Sequence, residues 1–283
     1  MICGIKLKLD SYAINQLLAN SNLEFKSKVN RNTGELDQAR ICFLDGIEIN
    51  IKSLGYGEIK GSLHMFKNGG KHNYDDFRWT EVLPTIDALS NSLGLNIRQL
   101  KLINLEWGVN IKTEISPKDI LTGLVMHKGV RFEKMYVRPG TCYICAHSQL
   151  SIKIYDKGSQ NRLPENIMRI EMAAKKSVFF NNLRIFTLND LQSQETRVNL
   201  QNYLLYGGWG DLLLIEPELI HYFPLDGKMQ KRISNWVNPI YWLKSENYTR
   251  CFQRKKYDEF RLGNGFDTKE KISQAILNKY REL

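Results

Sequence analysis

One tyrosine stands between two lysines in a segment of alternating residues, and it is the most distinctive chemical feature of the sequence. Within residues 151–157, the side chains of Lys153, Tyr155 and Lys157 fall on one face of a predicted strand. A free tyrosine has a pKa near ~10 and is a poor nucleophile at neutral pH, whereas a nearby ammonium group favours the phenolate. The pattern fits a tyrosine that attacks a phosphodiester. Solvated lysines beside an ordinary tyrosine are the plainer interpretation.

Two carboxylates and a histidine occur in neighbouring segments with the same alternation. Glu106, Glu171 and His64 each lie opposite the apolar side chains of their segment. Such groups can bind a divalent cation, which polarises a phosphoryl oxygen and stabilises developing charge. A polar stripe is also common on the wet face of an antiparallel sheet. If these segments share one sheet, the sequence predicts that the three groups and Tyr155 meet on its polar face.

The elements that would position these residues are mainly strands. Asp45 and Gly46 form a strong hairpin signal between two apolar runs, and apolar spacing predicts helices over 79–93 and 117–126. The predicted strand segments are 5–9, 41–51, 58–66, 103–111, 143–157 and 167–174. We predict an α+β domain over residues 1–185, in which one antiparallel sheet has helices packed on one face.

The rest of the chain, residues 186–283, is predicted to be helical and basic. Residues 228–283 hold 13 basic and six acidic residues, so seven of the ten net positive charges lie there. Such an excess is typical of proteins with a polyanionic partner. The run Arg254, Lys255 and Lys256 is the densest candidate contact in this region.

Composition excludes several classes of protein. With 42% hydrophobic and 25% charged residues, the chain can build a core and is not disordered as a whole. It lacks an apolar run long enough for a membrane span and an N-terminal signal peptide, so we expect a cytoplasmic protein without membrane contact. The five cysteines favour free thiols in a reducing compartment. Cys142 and Cys145 form a lone CxxC without a second ligand pair, which argues against zinc.

Four blocks of residues resemble the replication initiators of filamentous phages, the gene II protein family, and related initiators of the Rep-trans type. The blocks occur in the family's order within about residues 58–195. They are 61–73, with its Lys-His-Asn ending, 104–110, 147–158, with Tyr-Asp-Lys, and 167–175, with Arg-Ile-Glu.

This resemblance implies a tyrosine endonuclease of rolling-circle replication with an HUH-endonuclease-like sheet. Tyr155 matches the family's nucleophile and Lys157 the lysine two residues after it. Glu106 matches the acidic position of the second block, while Arg169 and Glu171 match the Arg-x-Glu pair of the fourth. The implied cofactor is Mg²⁺ or Mn²⁺.

The metal shell departs from the family pattern. The chain lacks the His-hydrophobic-His motif of better-known relatives, so His64 or His72 would have to replace it. Relatives often carry Asp at the position of Glu106 and a second acid at that of Asn110. The predicted metal ligands are therefore Glu106, Glu171, His64 and His72.

The implied partners are origin DNA in single-stranded form and the host replication helicase and polymerase of a phage or plasmid. Lys153, Arg169 and His147 are candidate DNA contacts near the nucleophile, in addition to the basic run at 254–256. Two other hypotheses stay open. The chain could be a non-catalytic DNA-binding protein, such as a repressor or decayed initiator, or a metal nuclease that uses water and does not need Tyr155.

Overall fold

Strands from the first two thirds of the chain join into one wide sheet. A computed structural model describes residues 1–29, 32–53, 55–136, 140–224 and 226–283. Its strands are β1 (Ile2–Leu9), β2 (Lys26–Val29), β3 (Leu36–Leu44), β4 (Ile47–Ser53), β5 (Tyr56–Ser62), β6 (Leu102–Lys112), β7 (Leu124–His127), β8 (Val130–Arg131), β9 (Glu133–Tyr136), β10 (Thr141–Ala146), β11 (Leu150–Asp156), β12 (Ile167–Ala174) and β13 (Leu212–Leu214).

Helices follow the strands and dominate the C-terminal part. They are α1 (Ser11–Ala19), α2 (Leu63–Lys67), α3 (Trp79–Leu93), α4 (Pro117–Thr122), α5 (Lys157–Asn161), α6 (Ser177–Asn181), α7 (Gln194–Asn202), α8 (Gly227–Trp236), α9 (Pro239–Lys244), α10 (Asn247–Gly263) and α11 (Thr268–Glu282). A π-helical segment, Tyr203–Gly210, extends α7. None of the helices in the described ranges is both long and apolar enough to cross a bilayer.

The large sheet has ten strands in the order β2-β3-β4-β5-β1-β6-β12-β11-β10-β9, and its neighbours pair antiparallel. A smaller sheet has the order β13-β7-β8. The predicted α+β class, with an antiparallel sheet and a mainly helical C-terminal region, is confirmed. The central strands β6 and β12 lie side by side although a long stretch of chain separates them.

The predicted hairpin is confirmed, and two other local predictions were wrong. Asp45 and Gly46 have φ of 46° and 86° between β3 and β4, the left-handed pair that a tight hairpin turn requires. The predicted strand over 58–66 ends at Ser62, because the Ser62 hydroxyl accepts a hydrogen bond from Met65 N and caps α2. The helix predicted over 117–126 ends at Thr122, and β7 follows it.

One face of the large sheet carries the apolar residues and is covered by helices. The Trp107 indole donates to the Leu200 carbonyl of α7 at 2.9 Å and packs near Phe179 of α6. In the next strand Met172, directly opposite Trp107, lies against Gly208 of the π-helical segment. Burial of these side chains holds the helices to the sheet and leaves the opposite face for polar groups.

Contacts cross the boundary predicted at residue 185. Strand β13 pairs with β7, and the Leu283 carbonyl accepts a hydrogen bond from Trp79 N at 2.9 Å. Lys279 of α11 forms a 2.9 Å ion pair with Asp76. The division into 1–185 and 186–283 stays a prediction, and the two parts share buried side chains.

We expect Gly108→Ala to destabilise the fold at the point where β6 meets β12. A Cβ at Gly108 would lie 3.1 Å from Glu171 Cα and closer still to the Ile170 carbonyl. Overpacking of this kind costs about 1–3 kcal/mol, which urea unfolding measures. The control is Gly227→Ala at the start of α8, where a Cβ meets nothing within 4 Å. The expectation fails if both variants unfold at the wild-type midpoint.

Candidate active site

The register of three adjacent strands aligns the predicted nucleophile with a buried arginine. Tyr155 of β11 lies directly opposite Arg169 of β12, and Arg169 lies directly opposite Asn110 of β6. On the other side of β11, Cys142 faces Tyr155. Directly opposed residues point to the same face of an antiparallel sheet. This row therefore lies on the polar face, away from Trp107.

A second row on the same face contains the carboxylates. Lys153 lies opposite Glu171, and Glu171 lies opposite Gly108. Glu106, two residues before Gly108, follows on the same face and forms a 3.2 Å ion pair with Lys153. The predicted residues Tyr155, Glu106 and Glu171 thus share one face, while their chemical roles stay predictions.

Arg169 is the hub of these contacts and is 0% exposed. Its Nε donates to Glu171 Oε1 at 2.6 Å, and its Nη1 donates to Asn110 Oδ1 and to the Asn73 carbonyl, each at 3.1 Å. Its Nη2 donates to the Cys3 sulfur at 2.8 Å. Although burial alone would lower the pKa of Arg169, its anionic neighbours raise it, so the cation is permanent. The side chain predicted to contact DNA is thus placed beneath the surface.

The segment after α2 closes over this end of the sheet. The Asn73 carbonyl accepts a hydrogen bond from Arg169, and Asn73 Oδ1 accepts one from the Lys157 ammonium at 2.6 Å. The Tyr74 carbonyl accepts a 3.0 Å hydrogen bond from Asn110 Nδ2. Sequence reasoning did not single out Asn73, although it ends the first block. Its position explains how that block contributes to the site.

Lys157 is the first residue of α5, so the strand predicted through it ends one residue earlier at Asp156. Only 3% of Lys157 is exposed, and its Nζ lies 5.7 Å from the ring centroid of Tyr155. A second hydrogen bond of 3.2 Å joins Nζ to Gln160 Oε1. Burial, reinforced by the charge of Arg169, lowers the pKa of Lys157 to about 8.

The hydroxyl of Tyr155 is free of hydrogen bonds to the described residues. The side chain is half-buried, and its hydroxyl oxygen is not among the buried unsatisfied atoms. Burial raises the pKa of Tyr155 well above its ordinary value, and the opposing effect of Arg169 is smaller. The phenol is therefore protonated at neutral pH, although lysines near it suggested the phenolate.

Each predicted acidic ligand already has a cationic partner. Burial alone would raise the pKa of Glu171, but Arg169 and Lys153 lower it below its ordinary value. Burial likewise disfavours the Lys153 ammonium, but Glu106 and Glu171 raise the pKa of Lys153. Two carboxylates and two cations balance one another here, so a further cation has to displace one of them.

The two predicted histidines meet at a different carboxylate. His64 Nε2 lies 2.6 Å from Asp75 Oδ1, and His72 Nδ1 lies 3.3 Å from the same oxygen. His64 is 0% exposed, and burial lowers its pKa to about 4, so the ring is neutral and donates from Nε2. Its Nδ1 is buried without a partner among the described residues. The four predicted ligands therefore form two groups, one of carboxylates and one of histidines.

His147 and Cys145 lie away from this arrangement. Cys142 shares the face of Tyr155, whereas Cys145 lies opposite Ile152 and points to the helix-covered face. The two thiols therefore point to opposite faces of the sheet and do not converge on one ion. His147 instead contacts Cys145 and His127. Sequence reasoning missed this cluster, because His127 reaches it only through tertiary packing.

The basic run of α10 is partly used inside the protein. Arg254 donates to the Asp211 and Leu212 carbonyls at 3.1 Å and 3.0 Å and so fixes the start of β13. Lys256 Nζ lies 4.2 Å from the ring centroid of Phe252, and Lys255 is exposed. Three cations of α8 are exposed and form no ion pair within the described ranges: Lys228, Lys231 and Arg232.

Comparison with known proteins finds a likeness in structure. No protein-family model matches the chain, and no curated protein matches it. Its fold is similar to that of the rolling circle replication initiator protein from Geobacillus stearothermophilus, with 11% sequence identity and a TM-score of 0.46. The match covers 84% of this chain and 94% of the other.

We expect Glu171→Gln to destabilise the protein strongly, because it leaves the buried Arg169 cation without its anion. Breaking a buried pair costs about 3–5 kcal/mol. The matched control is Glu106→Gln, whose partner Lys153 is 30% exposed, and its cost should stay below ~1 kcal/mol.

The destabilisation caused by Glu171→Gln should depend on pH. Since the folded-state pKa of Glu171 is lowered, its contribution is present above the unfolded value of ~4.3 and is lost as pH falls through the folded value. The unfolding free energies of wild type and Glu171→Gln should therefore converge in acid. Equal differences at neutral and acidic pH in urea titrations would contradict this.

Proposed function

We propose that this protein is a replication initiator, a site-specific single-strand DNA endonuclease and ligase. It would nick an origin through a phosphotyrosine intermediate and start rolling-circle replication of a phage or plasmid. The observation that carries the proposal is the free hydroxyl of Tyr155 on a sheet face with three fixed cations: Lys153, Lys157 and Arg169. An oxygen nucleophile surrounded by cations suits attack on a phosphodiester anion.

In the proposed step, Tyr155 Oη forms a bond to phosphorus and the bond from phosphorus to the 3′-oxygen breaks. The phenol loses its proton to water, and the departing 3′-oxygen gains one. The products are a 5′-phosphotyrosine and a free 3′-OH. Because one phosphoester replaces another, the 3′-OH can later attack the phosphotyrosine and rejoin the strand without a nucleotide cofactor.

The buried cations would stabilise the negative charge that develops on the phosphoryl oxygens. Arg169 is held by Glu171 and Asn110, and Lys157 by Asn73, so neither has to reorganise during the step. The charge of Arg169 offsets only part of the burial effect that raises the pKa of Tyr155 and keeps the phenol protonated. The two carboxylates then act by holding cations in place.

We propose Mg²⁺ or Mn²⁺ as the cofactor, held by oxygen ligands, which both ions prefer. Glu106 and Glu171 would bind the ion after releasing Lys153 or Arg169. His64 donates from Nε2 to Asp75 Oδ1, so its unpartnered Nδ1 lies on the other side of the ring from that carboxylate, and the two predicted histidines do not converge on one ion with Asp75. When bound, the ion would act as a Lewis acid toward a phosphoryl oxygen.

The nicked product implies the partners. A free 3′-OH serves a host polymerase as primer, and strand displacement ahead of it calls for the host replication helicase. The single-stranded origin DNA would reach the site along the polar face, where Lys153 is 30% exposed, and contact the basic C-terminal region.

One observation favours a second function, that of a DNA-binding protein that does not nick. Burial raises the pKa of Tyr155, and no side-chain base among the described residues hydrogen bonds to its hydroxyl. A protein that had lost nicking could keep the same fold and basic surface. The water-using nuclease stays a third hypothesis, and both are outcomes of the following test.

We expect Tyr155→Phe to abolish cleavage and to leave DNA binding intact, because it removes only the attacking oxygen. With Mg²⁺ or Mn²⁺ and an origin oligonucleotide, wild type should give a covalent adduct and a strand with a free 3′-OH. Tyr143→Phe is the matched control, since Tyr143 lies opposite Ile154 on the other face. Cleavage by Tyr155→Phe would support the water nuclease, and binding without any wild-type adduct would support the non-nicking protein.

We expect the exposed cations of α8 to contribute to DNA affinity through counterion release. Replacing Lys228, Lys231 and Arg232 together by Gln should reduce the salt slope of single-strand binding by up to ~2, at ~0.7 per phosphate contact. Lys271→Gln serves as control, because Lys271 is paired with Asp267 and its loss should change the slope by less than ~0.7. An unchanged slope in the triple variant, measured by fluorescence anisotropy, removes α8 from the interface.

A further inference from the structure

Two histidines and a cysteine from separate segments meet on the helix-covered face of the large sheet. Cys145 ends the buried part of β10, His147 follows it in the turn before β11, and His127 ends β7. His127 Nδ1 lies 2.8 Å from His147 Nε2, and Cys145 Sγ lies 3.5 Å from that same nitrogen. All three donor atoms lie within 4.8 Å of one another. The cluster is on the face opposite Tyr155.

The geometry points to a zinc site formed by His127, Cys145 and His147, separate from the proposed nicking site and independent of it. Two imidazole nitrogens and one thiolate sulfur are donors that zinc accepts, whereas Mg²⁺ and Mn²⁺ prefer oxygen. No fourth His, Cys, Asp or Glu joins the group within the described part of the chain. Water would therefore complete the tetrahedron.

The hydrogen bonds of His127 prepare it as a ligand. Its Nε2 lies 2.6 Å from the Gly207 carbonyl. Because a carbonyl only accepts, this nitrogen carries the proton, and Nδ1 presents a lone pair to the cluster. A backbone carbonyl that holds the second ring nitrogen is a common outer support of a metal-bound histidine. In the metal-free form His147 Nε2 donates to that lone pair, and the Cys145 thiol donates to the Val130 carbonyl at 3.3 Å. On zinc binding His147 would carry its ring proton on Nδ1, and the thiol proton would pass to solvent.

The spacing is close to that of a tetrahedral site. Bonds of ~2.05 Å to nitrogen and ~2.3 Å to sulfur place two nitrogens ~3.3 Å apart and a nitrogen ~3.6 Å from sulfur. The sulfur–nitrogen distance of 3.5 Å already agrees. The nitrogen–nitrogen distance of 2.8 Å has to open by about half an ångström, which is the change expected when an ion replaces a hydrogen bond.

The position of the ligands suggests what the ion would do. Cys145 and His147 belong to the β10–β11 hairpin, whereas His127 belongs to the small sheet that β13 joins. Gly207 adds the π-helical segment. Zinc would tie the far side of the large sheet to the C-terminal part of the chain. His147 is only half-buried, so the ion can reach the cluster from solvent.

Metal content and spectroscopy of the full chain test this inference. We expect about one zinc ion per chain by mass spectrometry after growth with zinc and removal of loose metal. Co²⁺ in its place should give a near-ultraviolet thiolate-to-cobalt band together with the intense visible bands of tetrahedral cobalt. A chelator should lower the thermal midpoint, and zinc should restore it, because an ion that binds only the folded state stabilises it.

Cys145→Ser should lose the thiolate band and the response to chelator. Cys142→Ser is the matched control, since this thiol lies three residues away in the same strand on the opposite face, and it should keep both. If Cys145→Ser does not fold, His147→Asn gives the same readout from a less buried position. Folded wild type without zinc or a cobalt band overturns the inference, as does a band that Cys142→Ser removes. Copper in place of zinc in the protein purified after growth with both metals overturns the assignment of the metal.

Discussion

A buried guanidinium is stable only when its nitrogens find hydrogen-bond partners, and each nitrogen of Arg169 donates to at least one group, with four segments contributing. Glu171 comes from its own strand, Asn110 from β6, Cys3 from β1 and Asn73 from the segment after α2. Removing a cation from water costs several kcal/mol unless such bonds compensate. The arrangement at this end of the sheet therefore follows from the hydrogen-bonding requirement of the Arg169 side chain.

The rest of the site is positioned through that network. Asn73, fixed by Arg169, also accepts the Lys157 ammonium, which lies over the ring of Tyr155. Glu171 neutralises Arg169 and attracts Lys153, which is held in turn by Glu106. Polar groups on this face form one connected system, in which each charge is placed by the next. On the apolar face, burial of side chains such as Trp107 and Met172 is the main source of order.

Strand periodicity was enough to predict much of this from sequence. The alternation in β6, β11 and β12 assigned Glu106, Tyr155 and Glu171 to one face, because side-chain direction has a period of two residues. The hairpin turn at Asp45 was also predictable, because it depends only on the two residues of the turn. The helix that follows Ser62 was missed because its start depends on a single capping hydroxyl. His64 therefore lies in a helix and not in the sheet, and it contacts Asp75 instead of Glu106 and Glu171.

Long-range relations could not be read in the same way. Nothing in the pattern around His127 indicates that β7 would approach the β10–β11 turn, since β7 belongs to a second sheet. Likewise, counting charges predicted a basic excess in residues 228–283 but not which of those cations are bonded inside the protein and which are exposed. Arg254 donates to the backbone carbonyls of Asp211 and Leu212 at the start of β13, and only the tertiary structure distinguishes such cations from those of α8.

The strand order also determines how long β6 waits for its second pairing partner during synthesis. β6 pairs on one side with β1, which is made before it, and on the other with β12, where Lys112 meets Ile167. The ribosome needs about 3–11 s to add the 55 residues between those two positions at ~5–20 residues per second. During that interval the apolar strand has a bare edge able to pair with another nascent chain. This protein is most exposed to misassembly while its middle third is being made, before the arginine that organises its site exists.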